Sequence, residues 1–181
     1  MISDVRYKLS PQLKFYDEIQ NDWKPYVMFK QPGNIRNNVI RTDNYGLRYT
    51  VENDNQFSYT LFDQKIKKKE KKQIAIVGGS TAFGVGASNN SKTLSSCLAS
   101  ITDYDVFNLG FRAFNHFQEL IMFQQVFHRF NNLDTVVLFS GFNDIFLSKY
   151  IDNYDSDEYG DIDKYDSNLC PCVMCMEGDI E

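Results

Sequence analysis

The sequence predicts an α/β fold in which short apolar strands form a parallel sheet and alternate with helices along the chain. Three apolar runs carry this prediction, at residues 73–86, 106–113 and 135–144, and each ends in glycine, small or amide residues. Such a run is typical of a buried parallel strand that leads directly into a helix. Functional groups in these sheets lie at the carboxyl ends of the strands, so we expect the three run ends to meet at one edge.

The individual elements follow in chain order from these runs. We expect strands over residues 73–77, 105–109 and 134–139, with a first helix over 91–101 between the first two strands. A second helix is expected over 114–130, because its apolar residues recur at a spacing that suits an amphipathic helix: Phe117, Leu120, Ile121, Phe127 and Phe130.

The remaining segments differ in composition from this α/β part, which we place at residues 73–150. Residues 1–62 predict an irregular lead-in or cap region, which either packs on the sheet or forms a small cap, with a turn at 43–46. Residues 63–72 form a lysine-rich linker, and residues 151–181 carry ten acidic residues and a single lysine, which predicts a disordered acidic tail.

Length and charge limit the classes of function. A chain of 181 residues is long enough for one domain with a real core and appendages. The net charge of −5 divides into −9 for residues 151–181 and +4 for the rest of the chain. Six lysines crowd into residues 65–72, and such a run suits nucleic acid or anionic lipid, or more commonly a solvated linker. No arginine or aromatic residue is interleaved with it, so we expect no nucleic-acid partner.

No stretch of about 18 apolar residues is present, and the first residues lack the apolar core of a signal peptide. We therefore expect a cytoplasmic protein without a membrane span. Cys170, Cys172 and Cys175 crowd near the end of the chain and could bind zinc, but they lack the second ligand pair of a typical site. We expect neither a metal nor a cofactor.

Ser80 is the main candidate for chemistry. It stands where the first apolar run breaks into glycines, on a predicted turn from strand to helix that would expose its hydroxyl. A serine there acts as a nucleophile when a base removes its proton and N–H groups stabilise the resulting oxyanion. The same turn could instead cradle a phosphate. However, Val85 and Gly86 stand where a P-loop needs lysine and serine or threonine.

Three blocks of residues together resemble the SGNH (GDSL-like) hydrolase family. The order and spacing of the blocks fit, and residues 41–50 are similar to a lead-in segment of family members from bacterial surface-polysaccharide gene clusters. The matching residues are Gly79, Ser80 and Gly84 in the first block, Asn108 and Gly110 in the second, and Gly141, Asn143 and Asp144 in the third.

The resemblance implies a three-layer, flavodoxin-like parallel sheet and a serine ester hydrolase. It makes Ser80 the nucleophile and Asn143 a side-chain oxyanion donor, and it puts Ala113 where the family has a glycine that donates a backbone N–H. The substrate implied is an acyl ester, above all an acetyl ester of a carbohydrate. Residues expected to contact substrate are Gly79, which replaces the usual aspartate, and Gly110, Arg112 and Asn115.

The family's Asp-x-x-His block, which supplies the catalytic base, is missing from this chain. The two histidines are His116 and His128, and neither has an aspartate three residues before it. His116 is the possible base because it follows the second block, although a surface or capping role is the commoner reading. Residues 73–150 also supply only about three of the roughly five strands, so we expect an incomplete form of the fold.

Two other functions therefore stay open. A non-catalytic binding module would keep the sheet and crevice but lack the base, since loss of a triad member costs several powers of ten in rate. A small-molecule phosphate-binding protein would use the glycine turn for affinity without turnover.

Overall fold

The structure, a computed structural model, describes residues 2–52, 57–63 and 71–151. The first part holds helices α1 (Ile2–Leu9) and α2 (Leu13–Asp17), followed by two small antiparallel ribbons. Their strands are β1 (Asp22–Lys24) with β2 (Met28–Lys30), and β3 (Thr50–Glu52) with β4 (Phe57–Tyr59). The second part runs β5 (Gln73–Gly78), α3 (Ser80–Phe83), α4 (Leu94–Ile101), β6 (Asp105–Gly110), α5 (His116–Val126), β7 (Leu133–Phe139) and α6 (Phe142–Ile151).

The main sheet has three parallel strands in the order β6, β5, β7. The last residue of β5, Gly78, lies opposite Gly110 of β6 on one side and Phe139 of β7 on the other. All three strands therefore end at the same level, and the chain segments that follow them leave from one edge. The structure confirms the α/β fold, the parallel sheet and the expected meeting of the three run ends.

Helices cover both faces of β5. Ala75 and Val77 face a core that includes Met122 and Val126 of α5, whereas Ile74 and Ile76 pack with residues of α3 and α4. This alternation is the period-2 pattern of a strand that is buried on both sides. β5 and β6 are buried along their whole length.

β7, in contrast, has no strand on its outer side among the described residues, and its side chains are largely exposed. Leu138 keeps 74% of its surface in contact with solvent, and Val136 and Phe139 are exposed as well. The apolar sequence of β7 thus predicts a strand correctly but does not indicate how much of that strand is covered.

The N-terminal region contributes directly to the core of the sheet. Val27, Leu47, Tyr59 and Leu61 belong to the same buried cluster as β5 and β6. The expected turn at residues 43–46 is present: the Asp43 carboxylate accepts hydrogen bonds from the N–H groups of Tyr45 and Leu47, each at 2.9 Å. The lead-in therefore packs on the sheet, which is one of the two expected arrangements.

Helix α5 confirms the expected helix, but only part of the predicted apolar face packs inward. Residues Phe117, Leu120 and Phe127 of the predicted apolar face are exposed. The helix instead buries Gln118, Glu119, Met122 and Val126. Two of the predicted apolar positions, Ile121 and Phe130, do pack against the core. The others face solvent because two polar residues of the first turn, Gln118 and Glu119, have partners inside the protein.

Most of the lysine-rich run and the whole acidic tail with its three cysteines lie outside the described residues. Lys71 and Lys72, which are described, form ion pairs with Asp103 at 3.2 Å and Asp134 at 2.6 Å. Among the helices of the described residues, none has the length and apolarity that a membrane crossing requires.

Candidate active site

The turn after β5 needs glycine at Gly78 and leaves little room for a side chain at Gly79. A Cβ atom on Gly78 would overlap the Phe139 carbonyl oxygen of the neighbouring strand. A Cβ atom on Gly79 would lie 3.0 Å from the Asn143 amide nitrogen and 3.3 Å from the Phe114 carbonyl oxygen. The backbone therefore passes very close to both neighbouring segments at this turn. Ser80 follows as the first residue of α3 and is half-buried.

Gly110 and Asn108, of the second block, pack against the helix that follows this turn. Gly110 is buried, and a Cβ atom there would overlap the backbone of Ala82 and Phe83 in α3. Asn108 accepts a hydrogen bond from the Gly110 N–H at 2.9 Å and donates one to the Ala82 carbonyl at 3.0 Å. Gly110 and Asn108 thus allow α3 to lie directly on β6; a substrate contact of Gly110 stays a prediction.

Ala113 has a backbone conformation that favours glycine. Its φ of 61° lies in the left-handed region, which costs a residue with a Cβ atom about 1–2 kcal/mol. The resemblance puts a glycine at this position, and the conformation gives a physical reason for one. Ala113 keeps the bend that directs the chain from β6 to α5.

The neighbouring residues of this corner have partners within the protein. The Arg112 guanidinium donates to the Ile19 carbonyl at 3.0 Å. Asn115 caps α5: its side chain accepts from the Gln118 N–H at 3.0 Å, and the Gln118 side chain accepts from the Asn115 N–H. Such a capping box stabilises the first turn of a helix. The expected substrate contacts of Arg112 and Asn115 stay predictions.

Asn143 follows the third strand, and its side chain contacts the segments that follow the other two strands. Its Nδ2 donates to the Phe114 carbonyl at 2.7 Å, and this same atom lies beside Gly79. An amide nitrogen carries two hydrogens, so one remains for a further acceptor in front of the turn. α6 begins at Phe142, so Asn143 lies inside its first turn rather than before it.

Ser80 and Asn143 line one cavity of about 250 Å³ at the carboxyl edge of the sheet. The other walls come from the segments after all three strands and from one residue of α5. They comprise Gly79, Thr81, Phe114, Glu119, Phe139, Ser140, Gly141 and Phe142. The structure therefore brings together the nucleophile and the side-chain oxyanion donor that the resemblance implies, in a space small enough for a short acyl group.

Glu119 is the residue of this cavity that sequence reasoning missed. It is 4% exposed, and burial raises the pKa of its carboxyl, while a hydrogen bond from Ser140 opposes that rise. The negative charge of Asp144 raises this pKa further, and His116 lowers it. A polar residue in the first turn of a helix that follows a strand end was the available signal, because that turn faces the carboxyl edge.

His116 lies at the start of α5, outside the lining of the cavity, and 74% of its side chain is exposed. Its Nδ1 contacts the Asp144 carboxylate, which also accepts from the His116 N–H at 3.1 Å. This hydrogen bond, followed by the charge of Asp144, raises the pKa of the His116 ring. An aspartate thus orients the histidine, as in a catalytic pair, although the ring stands in solvent. His128 is exposed within a short 3₁₀ helix after α5.

The described residues contain no group of three or more histidine, cysteine, aspartate or glutamate side chains able to hold a metal ion. The candidate cysteine cluster lies outside them. Comparison of the chain with known protein families and with curated proteins found no match.

Proposed function

We propose that the protein is an SGNH-type serine ester hydrolase that acts on acyl esters, with Ser80 as the nucleophile. The observation that carries this proposal is the shared cavity: Ser80 and Asn143 come from different strand ends and line the same small space. The resemblance of the three sequence blocks supports the same assignment. A flavodoxin-like doubly wound sheet is part of this proposal.

In the proposed reaction, the Ser80 Oγ attacks the acyl carbonyl carbon and its proton passes to a base. The negative charge that forms on the carbonyl oxygen is held by the free N–H of Asn143 and the backbone N–H of Ser80. The resemblance adds the Ala113 N–H as a third donor, although Ala113 is not among the residues that line the cavity. The Ser80 N–H is available because the first N–H groups of a helix have no acceptor within that helix. The bond to the alcohol then breaks, and water releases the acid from the acyl-serine.

The size of the cavity supports a short acyl group. Its volume of about 250 Å³ lies below the ~300–1,000 Å³ of sites that enclose drug-sized ligands. Acetyl esters of a carbohydrate therefore fit as a class, with the acetyl group inside and the sugar outside. A fold alone does not determine a substrate, so the carbohydrate rests on the resemblance. The cytoplasmic location likewise stays a prediction from the sequence.

Two observations favour a second candidate, a binding module that lacks turnover. The cavity lining contains no histidine, and the ring of His116 is exposed to solvent. The phosphate-binding alternative has less support, because the cavity lining also contains no lysine or arginine.

A fluorophosphonate probe separates these functions, because it labels a serine only when that serine is nucleophilic. We expect labelling at Ser80, identified by peptide mass spectrometry, and its loss in Ser80→Ala. Ser100→Ala is the matched control, since Ser100 is exposed on α4, outside the cavity lining, and its variant should still be labelled at Ser80. Labelling that is absent from the parent protein, or that persists in Ser80→Ala, would contradict the hydrolase.

A further inference from the structure

The carboxyl of Glu119 is the titratable side chain among the residues that line the Ser80 cavity. Its Oε1 lies 3.8 Å from the position of a Cβ atom on Gly79, the residue before Ser80. The other titratable groups near it, His116 and Asp144, stand outside the lining. A carboxyl and a serine hydroxyl therefore share one small cavity.

Glu119 is costly to the fold in this position. A buried carboxylate without a paired cation is destabilising, because the low-polarity surroundings replace water poorly. Its direct partner here is the neutral Ser140 hydroxyl, and the nearby histidine is exposed. Among the described residues no buried cation pairs with this carboxyl, and such a carboxyl in a cavity is a candidate for a functional role.

We propose that Glu119 is the proton acceptor for Ser80, in the place that a histidine takes in related chemistry. This inference rests on the proposed ester hydrolase. The Glu119 carboxylate takes the Ser80 proton as the Oγ–carbon bond forms. The resulting carboxylic acid then returns that proton to the alcohol oxygen as the ester bond breaks. In the second half, the carboxylate takes a proton from water as water attacks the acyl-serine, and the acid returns it to the Ser80 oxygen.

The surroundings suit this role. Burial, followed by the charge of Asp144, raises the pKa of Glu119, while the Ser140 hydrogen bond and His116 lower it. The net rise makes the carboxylate a stronger base than an ordinary glutamate. The carboxylate must be ionised to act, so kcat/KM should rise with pH through the pKa of Glu119 and then level off.

The test compares Ser80-dependent p-nitrophenyl acetate hydrolysis and the rate of Ser80 fluorophosphonate labelling in a set of variants. We expect Glu119→Gln to lower both rates by roughly 10²–10⁴-fold, the usual contribution of a positioned base. The low-pH decline should vanish from the residual rate. Glu119→Asp keeps the charge and should lose less than Glu119→Gln. Glu18→Gln, at an exposed glutamate far from Glu119 in the sequence, is the control for the change from carboxylate to amide.

Three results would overturn the inference. The first is Ser80 labelling and turnover that survive Glu119→Gln. The second is an equal loss in Ser140→Ala, which would mean that Glu119 only holds the loop through Ser140. The third is a loss of the low-pH decline in His116→Gln rather than in Glu119→Gln.

Failure of the proposed function looks different, because the parent protein would then show no Ser80 labelling at all. Thermal melts followed by circular dichroism check that each variant is folded before its rates are compared. Glu119→Gln removes a buried charge and should be at least as stable as the parent above neutral pH. A Glu119→Gln variant that unfolds would also count against the inference, because the glutamate would then be needed for the fold.

Discussion

Arg48 is fully buried, its hydrogen-bond acceptors among the described residues are all neutral, and its replacement by methionine should destabilise the protein strongly. Its Nε donates to the Asn90 side chain at 2.9 Å, and its Nη2 donates to the Val39 carbonyl at 2.9 Å. Its Nη1 donates to the Gly84 carbonyl at 2.8 Å and to the Phe83 carbonyl at 3.3 Å. Burial lowers the pKa of this guanidinium, but arginine still carries its charge at neutral pH.

The size of the effect follows from which acceptors lose every donor. In Arg48→Met, the Gly84 carbonyl keeps the Tyr16 hydroxyl at 3.0 Å. The carbonyls of Val39 and Phe83 have no other donor among the hydrogen bonds of the described residues. Each orphaned buried carbonyl costs about 1–3 kcal/mol, and removal of a desolvated charge offsets part of that sum. We expect a loss of about 3 kcal/mol in the free energy of unfolding.

Urea unfolding followed by far-ultraviolet circular dichroism measures this loss. The single tryptophan, Trp23, is 62% exposed and makes fluorescence a poor reporter of the core. Arg48→Lys should lose less, since an ammonium retains three donors. Arg36→Met, on an exposed arginine, should change stability by no more than about 0.5 kcal/mol. If Arg48→Met also stays within about 1 kcal/mol of the parent, the reasoning from orphaned carbonyls is refuted.

Two further predictions concern the corner after β6 and the histidine pair. Ala113→Gly should change the free energy of unfolding by less than about 1 kcal/mol, because relief of left-handed strain offsets the entropy of glycine. Ala113→Val should destabilise clearly in the same urea titration, and equal stability of the two variants would argue against the strained φ. In nuclear magnetic resonance titration, His116 should have a pKa above the usual 6.5, and Asp144→Asn should return it toward that value. A raised pKa stabilises the fold at low pH and loses that effect as pH rises through it, so Asp144→Asn should cost more stability at pH 5.5 than at pH 9; an equal cost at both would contradict the pair.

The strands of the sheet could be predicted because each is a short apolar run next to glycine. That signal depends on burial of β5 and β6 from both sides, which leaves apolar residues at every position. It works less well for helix α5, where Phe117 and Leu120 face solvent and Glu119 faces the cavity. The direction in which that helix faces is set by the Asn115 cap and by a bond from Gln118 to the Val27 carbonyl at 2.7 Å, a partner distant in the sequence.

The candidate site shows the same division between local and long-range information. Ser80 and Asn143 could be placed in one site because parallel strands end at a common edge, and strand ends are visible in sequence. The place of Glu119 in the first turn after a strand end indicates that it lies near this edge, but its burial could not be read from its neighbours, since a glutamate there is usually a solvated residue near the positive end of the helix dipole. Only the packing of α5 against the strand ends turns it inward.

The position of Ser80 depends on the N-terminal region as much as on the sheet. α3 has four residues, which is too short to be stable by itself, and it ends at Gly84 with a φ of +90°. Its last carbonyls are held by Arg48, and the Tyr16 hydroxyl accepts from Arg48 at 2.9 Å within the same cluster. Asn108 of β6 holds the Ala82 carbonyl from the other side. The geometry of the turn at Ser80 is therefore set jointly by a strand of the sheet and by residues that come well before it in the chain. Replacement of Arg48 should therefore disturb the turn at Ser80 as well as destabilise the core.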